Sequence, residues 1–390
     1  MSAEVISLGC RLNLSESETL RALLAAEDEL VVINSCAVTA EAVRQTRQAI
    51  RKARKARPDA RLLVTGCAAE VERAALAAMP EVDGLIANAA KLDPRAWNVA
   101  PLADPDQRQH TRAFIAVQNG CDHACTFCVI PQGRGANRSL AIAQVLREVE
   151  SHLARGAREV VLTGVDLASW GTDLPEAPPL GTLVGAILTA FPQLQRLRLS
   201  SLDGATIDPQ LEELIGGEAR VMPHLHLSLQ HGDDLILKRM KRRHSRGDAI
   251  DLVARLKARR PEIVIGADLI SGFPTEDERA HAANLSVIAD LGIVHGHVFP
   301  YSPRPGTPAA RMPQVAPPAI KARAAQLRGA IADQRQTWLT SLLGQPQQVL
   351  AERDGTGHSP NFARVQLAPA TTPGTIVTVI PTQIIEGLLA

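Results

Sequence analysis

Aromatic side chains are scarce in this chain. Six Phe, three Trp and one Tyr make up 3% of 390 residues, which argues against a surface that works by extended ring stacking. Long apolar runs are missing too: none approaches the roughly 18 residues that a membrane span needs. The start MSAEVISLGC has neither a basic region nor an apolar stretch behind it, so neither a secretory signal nor lipid attachment at Cys10 is expected. Net charge is almost nil: 42 Lys and Arg against 41 Asp and Glu leave +1, which makes no global case for a polyanionic partner. Internal repeats and low-complexity tracts are absent, which excludes a solenoid. These absences predict a cytoplasmic protein, in which thiols stay reduced and clustered cysteines read as metal ligands.

What is present is a divided set of six cysteines. Cys121, Cys125 and Cys128 crowd one segment, NGCDHACTFC, while Cys10, Cys36 and Cys67 are spread through the first seventy residues. Three thiolates are one short of a closed four-ligand site, and an incomplete set leaves a metal corner open for something that reacts. A zinc site drawing on Asp122 or His123 is the other reading of the compact trio. Three unrelated buried thiols are the plain reading of the dispersed one.

Charge is balanced overall but patterned locally. Arg44, Arg47, Arg51, Arg54 and Lys55 recur at helical steps, and Lys238, Arg239, Lys241, Arg242, Arg243 and Arg246 form a second cluster. Each reads either as a solvated face or as a contact for phosphates.

The chain is expected to be α/β. VISLG (5–9), LVVIN (30–34) and RLLVTG (61–66) read as strands, with helices at 15–26, 40–57 and 69–79, the first opened by a capping box at Ser15–Glu18. Such alternation predicts a parallel sheet. The dispersed cysteines each follow a strand, so a parallel sheet would gather them at the edge where ligands bind. Residues 98–112 read as a linker. Six further strands are expected at 113–117, 159–163, 196–200, 225–229, 264–269 and 294–298, separated by helices near 140–155, 180–190, 208–216, 246–259 and 277–291. They predict a barrel-like or open parallel sheet. A Pro-rich stretch at 299–318 leads into a helix at 319–343, and the last fifty residues read as a small antiparallel β-barrel. The expected domains are therefore 1–98, 112–340 and 341–390.

The spacing Cys121-x3-Cys125-x2-Cys128 resembles the radical S-adenosylmethionine enzymes. LGCRLNLSESE, VINSCAVTAEAVRQTRQAI, VTGCAAE, VVLTGVD, HLSLQHGDDLILKRMKRRHSR, GADLISGFPTE and FPYSPRPGTPAARMP narrow the resemblance to the methylthiotransferase branch, and most of all to its MtaB type. The resemblance implies a partial (β/α)6 barrel whose compact trio holds a 4Fe-4S cluster. That cluster's open iron binds S-adenosylmethionine and cleaves it to a 5′-deoxyadenosyl radical. It further implies a second 4Fe-4S cluster on Cys10, Cys36 and Cys67, and an RNA-contacting TRAM domain at the C-terminus. The implied reaction places a methylthio group on C2 of N6-threonylcarbamoyladenosine beside the tRNA anticodon.

By the same resemblance Phe127, Gly164, Asp166, Ser200, Ser201, Ser228, Gln230 and Arg242 surround S-adenosylmethionine, local capping being the alternative for each polar one. Arg44, Arg47, Arg51, Arg134, Arg138, Phe362 and Arg364 are candidate RNA contacts. The implied partners are the tRNA anticodon stem-loop and a low-potential electron donor of flavodoxin or ferredoxin type, with no membrane and a monomeric protein. Gln132, Trp170 and His231 depart from the family pattern, which bears on substrate fit. Two other functions stay open: the same chemistry on a ribosomal protein side chain, and a non-catalytic iron–sulfur RNA-binding protein.

Overall fold

LVVIN is apolar at every position but the last, and a strand of that kind needs cover on both faces. The computed structural model, which describes residues 3–100 and 111–390, supplies it. Strands Glu4–Ser7, Leu30–Ser35, Arg61–Gly66 and Gly84–Leu85 lie side by side in chain order, all parallel. Val31 and Ile33 pack with Val43, Ile50 and Leu76 on one face, while Leu30 and Val32 pack with Leu20, Leu23 and Leu24 on the other. Helix Ala40–Ala56 buries Val43, Thr46, Ile50 and Ala53 at helical steps, and Thr39 caps it by accepting from Ala42 N at 3.1 Å. The first helix runs Arg11–Leu23 rather than 15–26, with Cys10 at its N-cap. Ser15–Glu18 is therefore interior helix, not a cap, because the chain turns into helix directly after the strand. The helix expected at 69–79 is two short ones, Cys67–Val71 and Arg73–Ala77.

Packing divides the chain into two units that do not follow its linear order. The first joins residues up to 100 with Asn119–Arg138 and Ser302–Ala310; the second holds residues 111–118, Ser139–Tyr301 and Arg311–Ala390. Within the first, Ala309 N donates to Thr126 O at 2.9 Å and Arg304 pairs with Glu72 at 3.2 Å. The compact cysteine segment thus packs with the dispersed cysteines. Most of the expected linker, residues 101–110, lies outside the described residues.

The second unit carries six parallel strands in chain order: Arg112–Ala116, Glu159–Thr163, Arg196–Leu199, His224–Gln230, Val264–Ser271 and Ile293–Pro300. They form two three-stranded sheets linked by isolated parallel bridges, Leu197 to Val221 and Leu202 to Leu227. Period-two alternation sorts their side chains. Leu197, Leu199, Leu225, Leu227 and Leu229 join one apolar core with the helices. Arg196, Arg198, His224, His226, Ser228 and Gln230 alternate with them and point to the other face.

The C-terminal residues form a six-stranded sheet around Leu339, Val349, Val365 and Leu389. Its ladders are antiparallel, as expected, except for a parallel step pairing Val365 with Leu389. This sheet is joined firmly to the strand Arg196–Leu199. Arg196 donates to His358 O and Gln348 O at 3.0 and 2.6 Å, and Arg198 to Pro360 O and Ser359 O at 2.8 Å each. Phe362 stacks between His224 and His358, at 4.8 and 4.6 Å between ring centres, with the Arg198 guanidinium 5.0 Å from its ring centre. Among the described residues no helix is long and apolar enough to cross a membrane.

Candidate active site

The three dispersed cysteines meet at the carboxyl edge of the first sheet. Ser35 pairs with Gly66 across the sheet, so Cys36 and Cys67 leave adjacent strands side by side. Gly9 brings the next chain turn against Cys36: a Cβ there would lie 2.8 Å from Cys36 Sγ, and its φ of +95° suits glycine. Cys10 is exposed, whereas Cys36 and Cys67 are buried. Burial pushes the Cys36 thiol up to about 11 and raises Cys67 as well. Their thiolates therefore need a compensating cation, which is what a metal supplies.

Beneath them lies a buried polar network that the sequence reading missed. Glu16 accepts from Arg134 Nη1 and Nη2 at 3.0 and 3.1 Å and from Lys91 Nζ at 2.6 Å. Arg134 also donates to Asn13 and Asn119, and Lys91 to Asn34 Oδ1 at 3.2 Å. Burial would raise the Glu16 carboxyl, but the charges of Arg134 and Lys91 hold it below its usual value. One signal was available: Asn13, Glu16 and Ser17 occupy the i, i+3, i+4 face where an amphipathic helix carries apolar residues.

The compact trio is placed by short-range hydrogen bonds. Cys121 N donates to Gly135 O at 3.1 Å, and Cys128 N to Cys125 O at 3.2 Å. His123 N and Ile130 N each point at a cysteine sulfur, Cys121 and Cys128, at 3.4 Å. Backbone N–H groups aimed at sulfur are the hydrogen bonds that iron–sulfur ligands commonly receive. Asp122, the possible zinc ligand, accepts from Asn137 N at 3.0 Å. Helix Ile130–Arg134 then carries the chain onto the other trio: a Cβ on Gly133 would lie 3.2 Å from Cys67 Cβ, and Asn88 Nδ2 donates to Gly133 O at 2.5 Å. Phe127 is half-buried within this loop.

In the second unit the expected cofactor residues stand at or beyond the carboxyl ends of parallel strands, where barrel sites form. Gly164 follows the strand Glu159–Thr163, and a Cβ there would meet Gln118 Oε1 at 2.7 Å. Asp166 N donates to that same oxygen at 2.9 Å, and the Asp166 carboxylate accepts from Ser169. Ser200 Oγ is buried without a hydrogen-bond partner, while Ser201 is half-buried. Gln230 has φ of 71° at the end of its strand. Arg242 pairs with Asp203 at 3.1 Å and donates to Ser228 O at 2.7 Å, so it ties down the strand that carries Ser228. His231 and Trp170, which depart from the family pattern, are both buried; they bond Glu276 and Leu140 O. On the same strands Asp268 accepts from His226 at 3.1 Å and His297 at 3.0 Å, a trio that the sequence did not single out.

One expected RNA contact is corrected by burial: Arg134 is 5% exposed and bound to Glu16, so it offers no surface to a phosphate. Phe362 is half-buried and packs among His224, His358 and Arg198. The stripe on helix Ala40–Ala56 is largely neutralised by neighbours: Arg44 pairs with Glu41, Arg47 with Glu72, Arg51 with Glu81 and Arg54 with Asp83. Arg364 pairs with Asp354, and Arg138 is exposed and donates to Arg134 O.

A chain with six parallel βα strands and a three-cysteine loop after the first of them has the fold of a radical S-adenosylmethionine enzyme. Residues 115–285 match the Radical SAM superfamily, and residues 2–87 match the uncharacterized protein family UPF0004. The threonylcarbamoyladenosine tRNA methylthiotransferase MtaB of Rickettsia prowazekii (strain Madrid E) is 43% identical over 382 residues, covering 93% of this chain and 91% of that protein. A tRNA-2-methylthio-N(6)-dimethylallyladenosine synthase of Cereibacter sphaeroides (strain ATCC 17029 / ATH 2.4.9) is 33% identical, covering 89% and 86%. Among solved structures, the radical S-adenosylmethionine methyltransferase TsrM from Kitasatospora setae aligns with a TM-score of 0.57 at 17% identity, covering 80% of this chain and 75% of that one. The chain belongs to the radical S-adenosylmethionine methylthiotransferase family. Its compact trio fits a 4Fe-4S cluster with one open iron: three sulfurs in one loop, two of them facing backbone N–H groups.

Proposed function

We propose that this protein methylthiolates tRNA at C2 of N6-threonylcarbamoyladenosine, using two 4Fe-4S clusters and S-adenosylmethionine. The observation that carries the two-cluster reading is the packing of both cysteine trios into one unit, joined through Gly133 and Cys67. Sequence identity of 43% to a threonylcarbamoyladenosine enzyme over nearly the whole chain supports the substrate. When bound, the clusters and S-adenosylmethionine supply the radical and the sulfur-transfer chemistry, which no side chain provides.

The protein's own residues position and exclude. Cys121, Cys125 and Cys128 hold one cluster, and Cys10, Cys36 and Cys67 the other. In the second unit Gly164, Asp166, Ser200, Ser201, Ser228 and Gln230 are assigned to S-adenosylmethionine, the buried Ser200 hydroxyl being a polar group in want of a partner; in the first, Phe127 of the cysteine loop is assigned to the same cofactor by resemblance. Arg242 positions Ser228 through its carbonyl. Exposed Arg44, Arg51, Arg138 and Arg364 meet tRNA phosphates near the anticodon, a weak set that suits backbone contact to an extruded base. The sheet at 341–390 serves as a TRAM-like module, and a small low-potential electron donor reduces the clusters.

The experiment is mass spectrometry of tRNA nucleosides from a strain lacking this gene. Loss of 2-methylthio-N6-threonylcarbamoyladenosine, with its unthiolated parent accumulating, is expected. Normal levels of the thiolated nucleoside in a strain without a second such enzyme would sink the assignment. In vitro, wild-type protein reconstituted without oxygen should hold about eight irons, as two cubane clusters. Replacing Cys10, Cys36 and Cys67 together by Ala should halve the iron and leave S-adenosylmethionine cleavage intact.

A further inference from the structure

Glu16, Lys91 and Arg134 are all buried, with side chains 3%, 1% and 3% exposed. Two cations face one carboxylate; burial lowers the Lys91 ammonium and the Glu16 charge opposes that, so with Lys91 protonated the group carries a net charge of +1 where water is excluded. A buried charge without a counter-charge is costly. Asn13, Asn34 and Asn119 complete the hydrogen bonds but bring no charge. The cysteine edge adjoins this group: Gly133, beside Arg134 in the chain, would carry a Cβ 3.2 Å from Cys67 Cβ, and the charges of Arg134 and Lys91 act on the Cys67 thiol, that of Arg134 on Cys10 and Cys36 as well. The missing anion is thus at the cysteine edge.

The charge count matches an iron–sulfur cluster held there. An oxidised 4Fe-4S core with three thiolates carries one net negative charge, and one-electron reduction makes it two. The oxidised site together with the network is neutral. Removing one cation leaves it negative before any electron arrives.

We propose that Lys91 and Arg134 are electrostatic positioning residues for the cluster on Cys10, Cys36 and Cys67: their surplus positive charge raises its reduction potential and favours an anionic sulfur ligand at its open iron. This rests on the two-cluster reading above. No bond is made or broken by either residue. The electron comes from the low-potential donor, and the charge it adds is offset by the network. Arg134 ends the helix that follows Cys128, so the segment that builds one site supplies the counter-charge of the other.

The test uses the full chain with Cys121, Cys125 and Cys128 replaced by Ala, reconstituted to about four irons, and an EPR-monitored titration with dithionite. Lys91→Met should make reduction at least tenfold less favourable, a shift of about 59 mV to more negative potential, while Lys91→Arg keeps the original value. Glu16→Gln, which adds a surplus positive charge, should shift it the opposite way. Unchanged potentials in both Lys91→Met and Glu16→Gln at full iron content would overturn the proposal. If Lys91→Met fails to fold or load, the sign of the Glu16→Gln shift decides alone. A parent protein that takes up no iron on its three remaining cysteines would refute the two-cluster reading itself.

Discussion

Replacing Arg198 by Met tests whether the C-terminal sheet is joined to the strand Arg196–Leu199 as the structure has it. The substitution keeps an unbranched side chain but removes two hydrogen bonds, to Ser359 O and Pro360 O at 2.8 Å each. It also strips the fully buried Glu159 of its nearer ion pair, Arg198 Nε at 2.9 Å, leaving Arg196 at 3.9 Å. Hydrogen bonds from a charged donor contribute about 1.5–3 kcal/mol each. Breaking one side of a buried ion pair costs about 3–5 kcal/mol. Both terms describe the same guanidinium, so they overlap, and about 3–5 kcal/mol is the expected total. In a unit of this size that lowers Tm by roughly 10 °C. Urea unfolding measures the total, and hydrogen exchange on peptides spanning residues 347–366 locates it. Protection should fall there first, because the Arg198 bonds end on that segment. Arg198→Lys should land between wild type and Met, since an ammonium keeps the charge but not the fork. A loss below about 1 kcal/mol, or unchanged exchange in the C-terminal sheet, would refute the reasoning.

Three further outcomes are expected. Phe362→Ala should couple to Arg198→Met in a double-mutant cycle by about 1 kcal/mol or more; strict additivity would mean that the ring and the guanidinium do not act on one another. Gly9→Ala should lose the iron of the dispersed trio and keep that of the loop, because its Cβ would crowd Cys36 Sγ at 2.8 Å; full iron content would contradict the placement. The third concerns acid. His295 is pushed down to about 3, first by burial and then by the charge of Arg335, so it is neutral when folded but takes a proton when unfolded below 6.5. The unfolded chain then binds more protons, and stability falls as pH drops from 6.5 towards 3. Glu16, held below 4.5, adds a loss in the same direction below that pH. His295→Gln should flatten the upper part of this limb in urea titrations taken at successive pH values, and an unaltered slope would remove His295 from the account.

Periodicity in the sequence placed most of the long elements of both units, but it missed the strand Gly84–Leu85 and the helix Asp234–Arg239 and merged two short helices at 69–79. The strand at 159–163 and the helices at 180–190 and 246–259 fall where apolar spacing placed them, since burial of one face or two leaves a clear pattern. Helix starts were less legible. The run Ser15–Glu18 looks like a cap, yet Cys10 takes that place, because an N-cap is chosen by where the strand ends and not by residue type alone. The loop trio was legible from spacing, as its three ligands are close in sequence. Arg134 was misread as a surface cation for the opposite reason: its partners, Asn13 and Glu16, are more than a hundred residues away.

By itself, then, the sequence determined the chemistry available: two trios of thiols, parallel βα units and a small terminal sheet. These are properties of residue type and spacing, which local physics reads directly. Only the tertiary structure decided what faces what. It gathered Cys10, Cys36 and Cys67 at one sheet edge, set the loop after Cys128 against Cys67, and buried Lys91 and Arg134 beneath them. It also stacked half-buried Phe362 on His224 and His358. Charge compensation and close approach depend on distance in space, and no spacing along the chain encodes that.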